Sequence, residues 1–243
     1  MSSPLRSDRR LVTPRTTLLV TGFEAFDGHA INVSWEVART LQRRAATVFP
    51  EVRMVAAKIP CRFGECIDEV VRLIREVHPD LVICLGQAEG RSQITVERVA
   101  LNVRDARIAD NRGQRPTEEA VIPGGPYAYP SRLPVAELVA QLRADGHQVA
   151  ASYTAGTFVC NDLFYGLMHH LERTPIAGGF IHLPILPEQQ RSDEQRSTDR
   201  EDAPRTIHSV SPAMALSLQV GAIDALITLT LRLTGQTTPH TTP

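Results

Sequence analysis

Short apolar runs and helically spaced apolar positions alternate along this chain. TTLLVTGF (16–23) reads as a buried strand, and SWEVARTLQRR after it reads as a helix. VRMVAAKIP (52–60) is a second strand. Ile67, Val70, Val71, Ile74 and Val77 then recur at helical spacing within 63–78. DLVICLGQ (80–87) is continuously apolar at its centre, as expected of a strand covered on both faces. ITVERVALNV (94–103) alternates and predicts one strand, followed by Pro- and Gly-rich chain to about residue 130. A helix over 134–145, strand QVAASYT, helix 157–171, strand GGFIHL and a closing helix at about 212–233 complete the pattern. Strand–helix alternation of this kind predicts a three-layer α/β/α sandwich around a mainly parallel, twisted sheet.

The domain is expected over 16–234, with 1–15 and 235–243 as flexible tails and no internal repeat. Residues 188–205, EQQRSDEQRSTDREDAPR, are charge-dense with Ala203 as the sole apolar residue, and read as a solvated loop. The last helix carries Gln219 and Asp224 and reads as amphipathic packing, not a span.

Composition narrows the function classes. Of the 243 residues, 42% are hydrophobic, enough for a full core, and the formal net charge is −1. A pI near 6.7 gives no footprint for nucleic acid. The basic stretch MSSPLRSDRRLVTPR is not followed by an apolar signal region, and four cysteines in a chain this long are no disulfide framework. A cytoplasmic protein with reduced thiols is expected, binding neither nucleic acid nor membrane.

Ligands of open α/β sheets sit beyond the carboxyl ends of the strands. Four loops are expected there: 21–26, 86–91, 154–160 and 182–184. They bring a cysteine and a histidine to one rim. Cys160 falls on the apolar stripe of its helix, so it reads equally as a small core hydrophobe. Its place in the first turn favours chemistry, because free N–H groups there lower a thiol pKa and cradle an oxyanion. His182 ends a strand, where histidines are commonly structural. His169 and His170 suit a helix C-terminus. Glu97 interrupts an apolar alternation and either faces solvent or orients a basic partner. Cys61 and Cys66 are too loosely spaced for a metal site and lack a second ligand pair. GQAEGR departs from both common phosphate-loop forms.

Taken together, LLVTGFEAF with NVSWE, GQAEGRSQITVERVALNVRDARIADNRGQ, SYTAGTFVCNDLFYGLMHH and GGFIHLPILPEQ resemble the pyroglutamyl-peptidase I family over roughly 17–190. The resemblance implies an α/β/α cysteine peptidase without cofactor or metal. It would remove pyroglutamate from peptide N-termini and assemble as a cytoplasmic homotetramer. By motif position it implies Cys160 as nucleophile, His182 as base and Glu97 as the acidic third member. Phe23 and Phe26 match the rings that sandwich the lactam, and Asn32 and Gln87 match polar groups around it. Arg107 matches a side chain near the oxyanion, with Arg91 a rival.

The chain departs from the family pattern at Ala25, Asp27, Val33, Val96 and Asp162, and Asp27 adds negative charge near the expected pocket. The competing reading is a non-catalytic binding module, or a nucleoside-type site on the same fold, with an unreactive Cys160.

Overall fold

The computed structural model describes residues 16–190 and 211–235. The expected tails and most of the 188–205 stretch lie outside the described residues. Six strands form the main sheet: β1 (Thr16–Phe23), β2 (Val52–Ile59), β3 (Leu81–Gln87), β4 (Ile94–Glu97), β7 (Val149–Ser152) and β8 (Ala177–Leu183), in the order β2-β1-β3-β8-β4-β7. Two short strands, β5 (Val99–Leu101) and β6 (Ala128–Pro130), pair separately and antiparallel.

Side-chain alternation sorts the core into two layers. Leu18, Val20, Leu81, Ile83, Leu85 and Ile181 face α1 (Val33–Val48), α3 (Val135–Ala144) and α5 (Leu216–Leu233). Leu19, Phe23, Val82, Cys84 and Phe180 face α2 (Glu65–Val77) and α4 (Val159–Leu171). The three-layer α/β sandwich is therefore as the sequence predicts. Helix α5 is long and apolar enough to cross a membrane by length and composition alone. In the fold it packs against α1 and α3 through Val220, Ile223, Leu226, Ile227 and Leu231. Its buried Gln219 Nε2 donates to the carbonyls of Pro184 and Met214.

Two local expectations change. The single strand over 94–103 is two, because the chain leaves the main sheet at Arg98 and Val99–Leu101 pairs with 128–130 instead. The stretch beginning at 188 is not wholly solvated. Pro187–Gln189 form a 3-10 turn, and Gln189 is buried, donating to Gln87 Oε1 and the Ile31 carbonyl.

Strand direction decides which side chains can meet. β1, β2, β3 and β8 are mutually parallel, whereas β4 runs antiparallel to β8, and β7 parallels β4. Thr95 thus sits opposite His182 and Val96 opposite Ile181. Glu97, two residues beyond Thr95, shares its face of the sheet and so shares a face with His182. That is the face covered by α4.

Candidate active site

The antiparallel seam puts Glu97 behind His182. Both are buried, and His182 Nδ1 lies 2.8 Å from Glu97 Oε1. A carboxylate acceptor fixes the tautomer with the proton on Nδ1, which leaves the Nε2 lone pair free. Burial holds the His182 pKa below its ordinary value, against the opposing pull of Glu97, while Arg91 adds to the lowering. Burial raises the Glu97 carboxyl, but its bonds to His182 and the nearby Arg91 charge bring it below the ordinary range overall. Glu97 is accordingly a buried carboxylate bonded to His182, and not a solvent-facing residue.

Cys160 reaches the same cavity by a route the sequence does not show. β7 runs opposite to β8, so its end does not share the carboxyl edge of β1, β3 and β8. Instead the loop after β7 is tied back. Arg91 Nη2 donates to the Thr154 carbonyl at 3.0 Å, and Asp105 and Thr157 exchange two hydrogen bonds. α4 then begins with no side chain capping its N-terminus: the Asn161 and Asp162 N–H groups donate to the Phe158 carbonyl, and no side chain takes those of Val159 and Cys160.

The first turn of α4 is pinned by the two residues after the cysteine. Asn161 accepts from the Leu101 N–H and donates to the Leu101 and Val103 carbonyls. Asp162, wholly buried, accepts from the Gly64 N–H at 2.8 Å and from Arg104 Nε at 2.6 Å. Two adjacent polar side chains among the buried residues of the helix's first turns are the sequence signal for this role. Gly86, in register with His182, lies beneath the thiol: a Cβ there would stand 2.7 Å from the Phe180 ring and 3.1 Å from Cys160 Sγ. Only a glycine lets α4 and its Cys160 approach the sheet this closely.

The thiol is half-buried, and burial together with the Glu97 charge pushes its pKa up to about 12, opposed by Arg91. Burial thus favours the neutral thiol and the neutral imidazole. The other three cysteines are buried free thiols, with pKa values raised chiefly by burial.

A cavity of about 420 Å³ opens over this pair. Phe26 and Phe158 form its aromatic wall, their ring centroids 6.1 Å apart, and the Phe63 ring packs edge-on behind Phe158 at 5.3 Å. Gln87, Arg91 and Arg107 also line it, with Cys160 and His182. The resemblance places Phe23 and Asn32 here, but neither lines the cavity. Phe23 lies on the α2/α4 face of β1 and is buried against Phe180. Asn32 caps α1: its Oδ1 accepts from the Ser34 N–H and hydroxyl, and its Nδ2 donates to the Glu24 carbonyl. Phe158, two residues before the cysteine, supplies the second ring. Gln87 is half-committed, since its Oε1 accepts from the Val33 N–H and Gln189 Nε2, leaving its amide N–H groups for the cavity. Asp27, where the family pattern has glycine, sits at φ 50°, a conformation glycine adopts more readily. Among the described residues no group of three or more His, Cys, Asp or Glu is arranged to hold a metal ion.

A thiol at a helix start with no side-chain cap, an imidazole with its Nε2 free and a buried carboxylate behind it are the groups that thiol-dependent hydrolysis calls for, on an α/β scaffold. The chain belongs to the pyroglutamyl peptidase family, whose sequence model matches residues 16–231. It is 44% identical over 216 residues to a pyrrolidone-carboxylate peptidase of Enterobacter sp. (strain 638), covering 88% of this chain and 92% of that one. A Cupriavidus necator relative of the same name is 49% identical over 176 residues, covering 71% and 80%. The crystal structure of Bacillus amyloliquefaciens pyroglutamyl peptidase I superposes with a TM-score of 0.76 at 37% identity, covering 89% of this chain and 97% of that one. A mutant pyrrolidone carboxyl peptidase from the hyperthermophile Pyrococcus furiosus gives 0.78 at 32%, covering 89% and 99%.

Proposed function

We propose that this chain removes N-terminal pyroglutamate from peptides through an acyl-enzyme on Cys160. The observation that carries the assignment is the Glu97–His182 bond at 2.8 Å, in a cavity that His182 shares with the half-buried Cys160 thiol. His182 Nε2 takes the Sγ proton as sulfur attacks the carbonyl joining pyroglutamate to the next residue. Glu97 stabilises the imidazolium formed, and the oxyanion falls to the Cys160 N–H with Arg107 as the cationic neighbour. Collapse expels the amine, protonated by His182. Water activated by the same imidazole then attacks the thioester, releasing pyroglutamate and restoring the thiol.

The cavity suits a lactam. Phe26 and Phe158 offer apolar faces, and the free amide N–H of Gln87 suits the ring carbonyl. The four free thiols fit a cytoplasmic setting.

A glutaminyl amide brings an ammonium that must be desolvated in this slot. Its kcat/KM is expected to fall at least ~100-fold below that of the pyroglutamyl amide. Initial rates of coumarin release from the two amides measure this. Comparable rates would refute the lactam pocket.

A further inference from the structure

Glu97 is wholly buried, yet its two oxygens are used unequally. Oε1 accepts from His182 Nδ1 at 2.8 Å and from Arg91 Nη1 at 2.6 Å, with the Thr95 hydroxyl at 3.5 Å. Oε2 is buried without a well-formed hydrogen bond, while the nearby Ser152 hydroxyl, from the residue opposite in β7, donates to the Thr154 carbonyl and helps hold the carboxylate ionised. A neutral imidazole is no countercharge, and a buried carboxylate without one is costly. The guanidinium of Arg91, 26% exposed at the cavity wall, supplies it. The same guanidinium bonds the Thr95 hydroxyl, opposite His182, and its Nη2 holds the Thr154 carbonyl in the loop that leads into Cys160.

We propose that Arg91 is a positioning residue for the acyl transfer: one guanidinium holds both the carboxylate that orients His182 and the loop that delivers Cys160. This rests on the Glu97–His182–Cys160 assignment above and replaces the alternative of Arg91 as an oxyanion ligand. The fork geometry is what the task requires, because two acceptors on different elements, Glu97 at the end of β4 and Thr154 after β7, are bridged by one planar group. Its charge also acts on the reacting pair, lowering both the imidazole and the thiol pKa.

The charged and titratable groups around His182 are Glu97 from β4, Cys160 from α4, Arg91 and Glu89 from the β3–β4 loop, Asp105 and Arg107 from the segment after β5, and Asp27 and His29 from the β1–α1 loop. Removing the cation bonded to Glu97 favours a proton on His182, which then cannot act as base. The acid limb of kcat/KM must therefore move to higher pH in Arg91→Met. At pH 7, kcat is expected to fall about 10- to 30-fold with KM changed less than about 3-fold. Arg91→Lys restores the charge but not the fork, so it should return the acid limb to its wild-type position while recovering only part of kcat.

Iodoacetamide alkylation of Cys160 gives a readout that needs no peptide substrate. It should slow in Arg91→Met by about 3- to 10-fold at pH 8 and recover in Arg91→Lys, because the cation favours the thiolate. Thermal melts confirm that each variant is folded. An acid limb unmoved in folded Arg91→Met overturns the proposal, whatever happens to kcat, because a guanidinium bonded to Glu97 cannot be removed without moving the titration of the imidazole that Glu97 holds. Alkylation unaffected by the substitution overturns it as well. Failure of the wild-type enzyme on pyroglutamyl amides, with the alkylation differences intact, would count against the substrate and not against Arg91.

Discussion

Cys160→Ser is expected to lower kcat/KM for a pyroglutamyl amide by at least ~10³-fold while leaving the melting temperature near the wild-type value. The reason lies in the weakness of the base. His182 is buried with its pKa held below the ordinary histidine value, and it must take a proton already difficult to remove from sulfur. A serine hydroxyl is several orders less acidic than a thiol, so the same imidazole cannot generate the nucleophile. Packing should not suffer. Oxygen is smaller than sulfur, and the close contacts around Gly86 and the Asn161 and Asp162 anchors of the helix start are untouched. Cys61, Cys66 and Cys84 are buried on the α2/α4 face, and their serine variants should act on stability. Steady-state kinetics and a thermal melt on the four variants separate the two behaviours. Wild-type-like turnover in Cys160→Ser would end the nucleophile assignment.

Glu97→Gln should cost about 10²- to 10³-fold in kcat, less than loss of the nucleophile. The carboxylate accepts from His182 Nδ1 and thereby leaves Nε2 unprotonated toward the thiol. An amide at this position can present its N–H to Nδ1 instead, which forces the proton onto Nε2 and removes the base. The substitution also leaves the Arg91 guanidinium without its partner at 2.6 Å. With the raising influence of Glu97 gone, the His182 pKa falls further, so the acid limb of the residual activity should shift to lower pH, opposite in sign to the Arg91→Met shift. The pH dependence of kcat/KM checks this. A shift to higher pH, or no loss of rate, would mean that Glu97 does not orient the imidazole.

Much of this site is written locally in the chain. The apolar run of β3, the helical spacing of α2 and the polar break at Glu97 each signal their place without tertiary knowledge, because burial on both faces, an amphipathic stripe and a buried carboxylate leave distinct local patterns. The resemblance adds the roles of Cys160 and His182. What local pattern does not carry is strand direction. Alternation in ITVE is the same whether the strand runs with or against β8, yet the antiparallel choice decides that Glu97 stands behind His182. The split at Arg98 is hidden for the same reason, since the partner of Val99–Leu101 lies about thirty residues on. Phe23 misleads because, although it shares the α2/α4 face with His182, its ring is buried against Phe180 and does not reach the cavity, while Phe158 carries no separate signal beside the cysteine motif. Gln189 reads as the start of a polar loop, and its burial against Gln87 depends on a contact 102 residues distant in the chain.

Catalysis by this route requires a thioester at one sulfur. An acid quench of the enzyme mixed with an activated pyroglutamyl ester, followed by mass analysis of the intact and digested protein, observes it directly. The predicted result is one pyroglutamyl group per chain, carried on the peptide containing Cys160, lost on standing at neutral pH and missing from Cys160→Ser. Ester hydrolysis with no acylated protein, or an adduct on another residue that forms equally in Cys160→Ser, would contradict it.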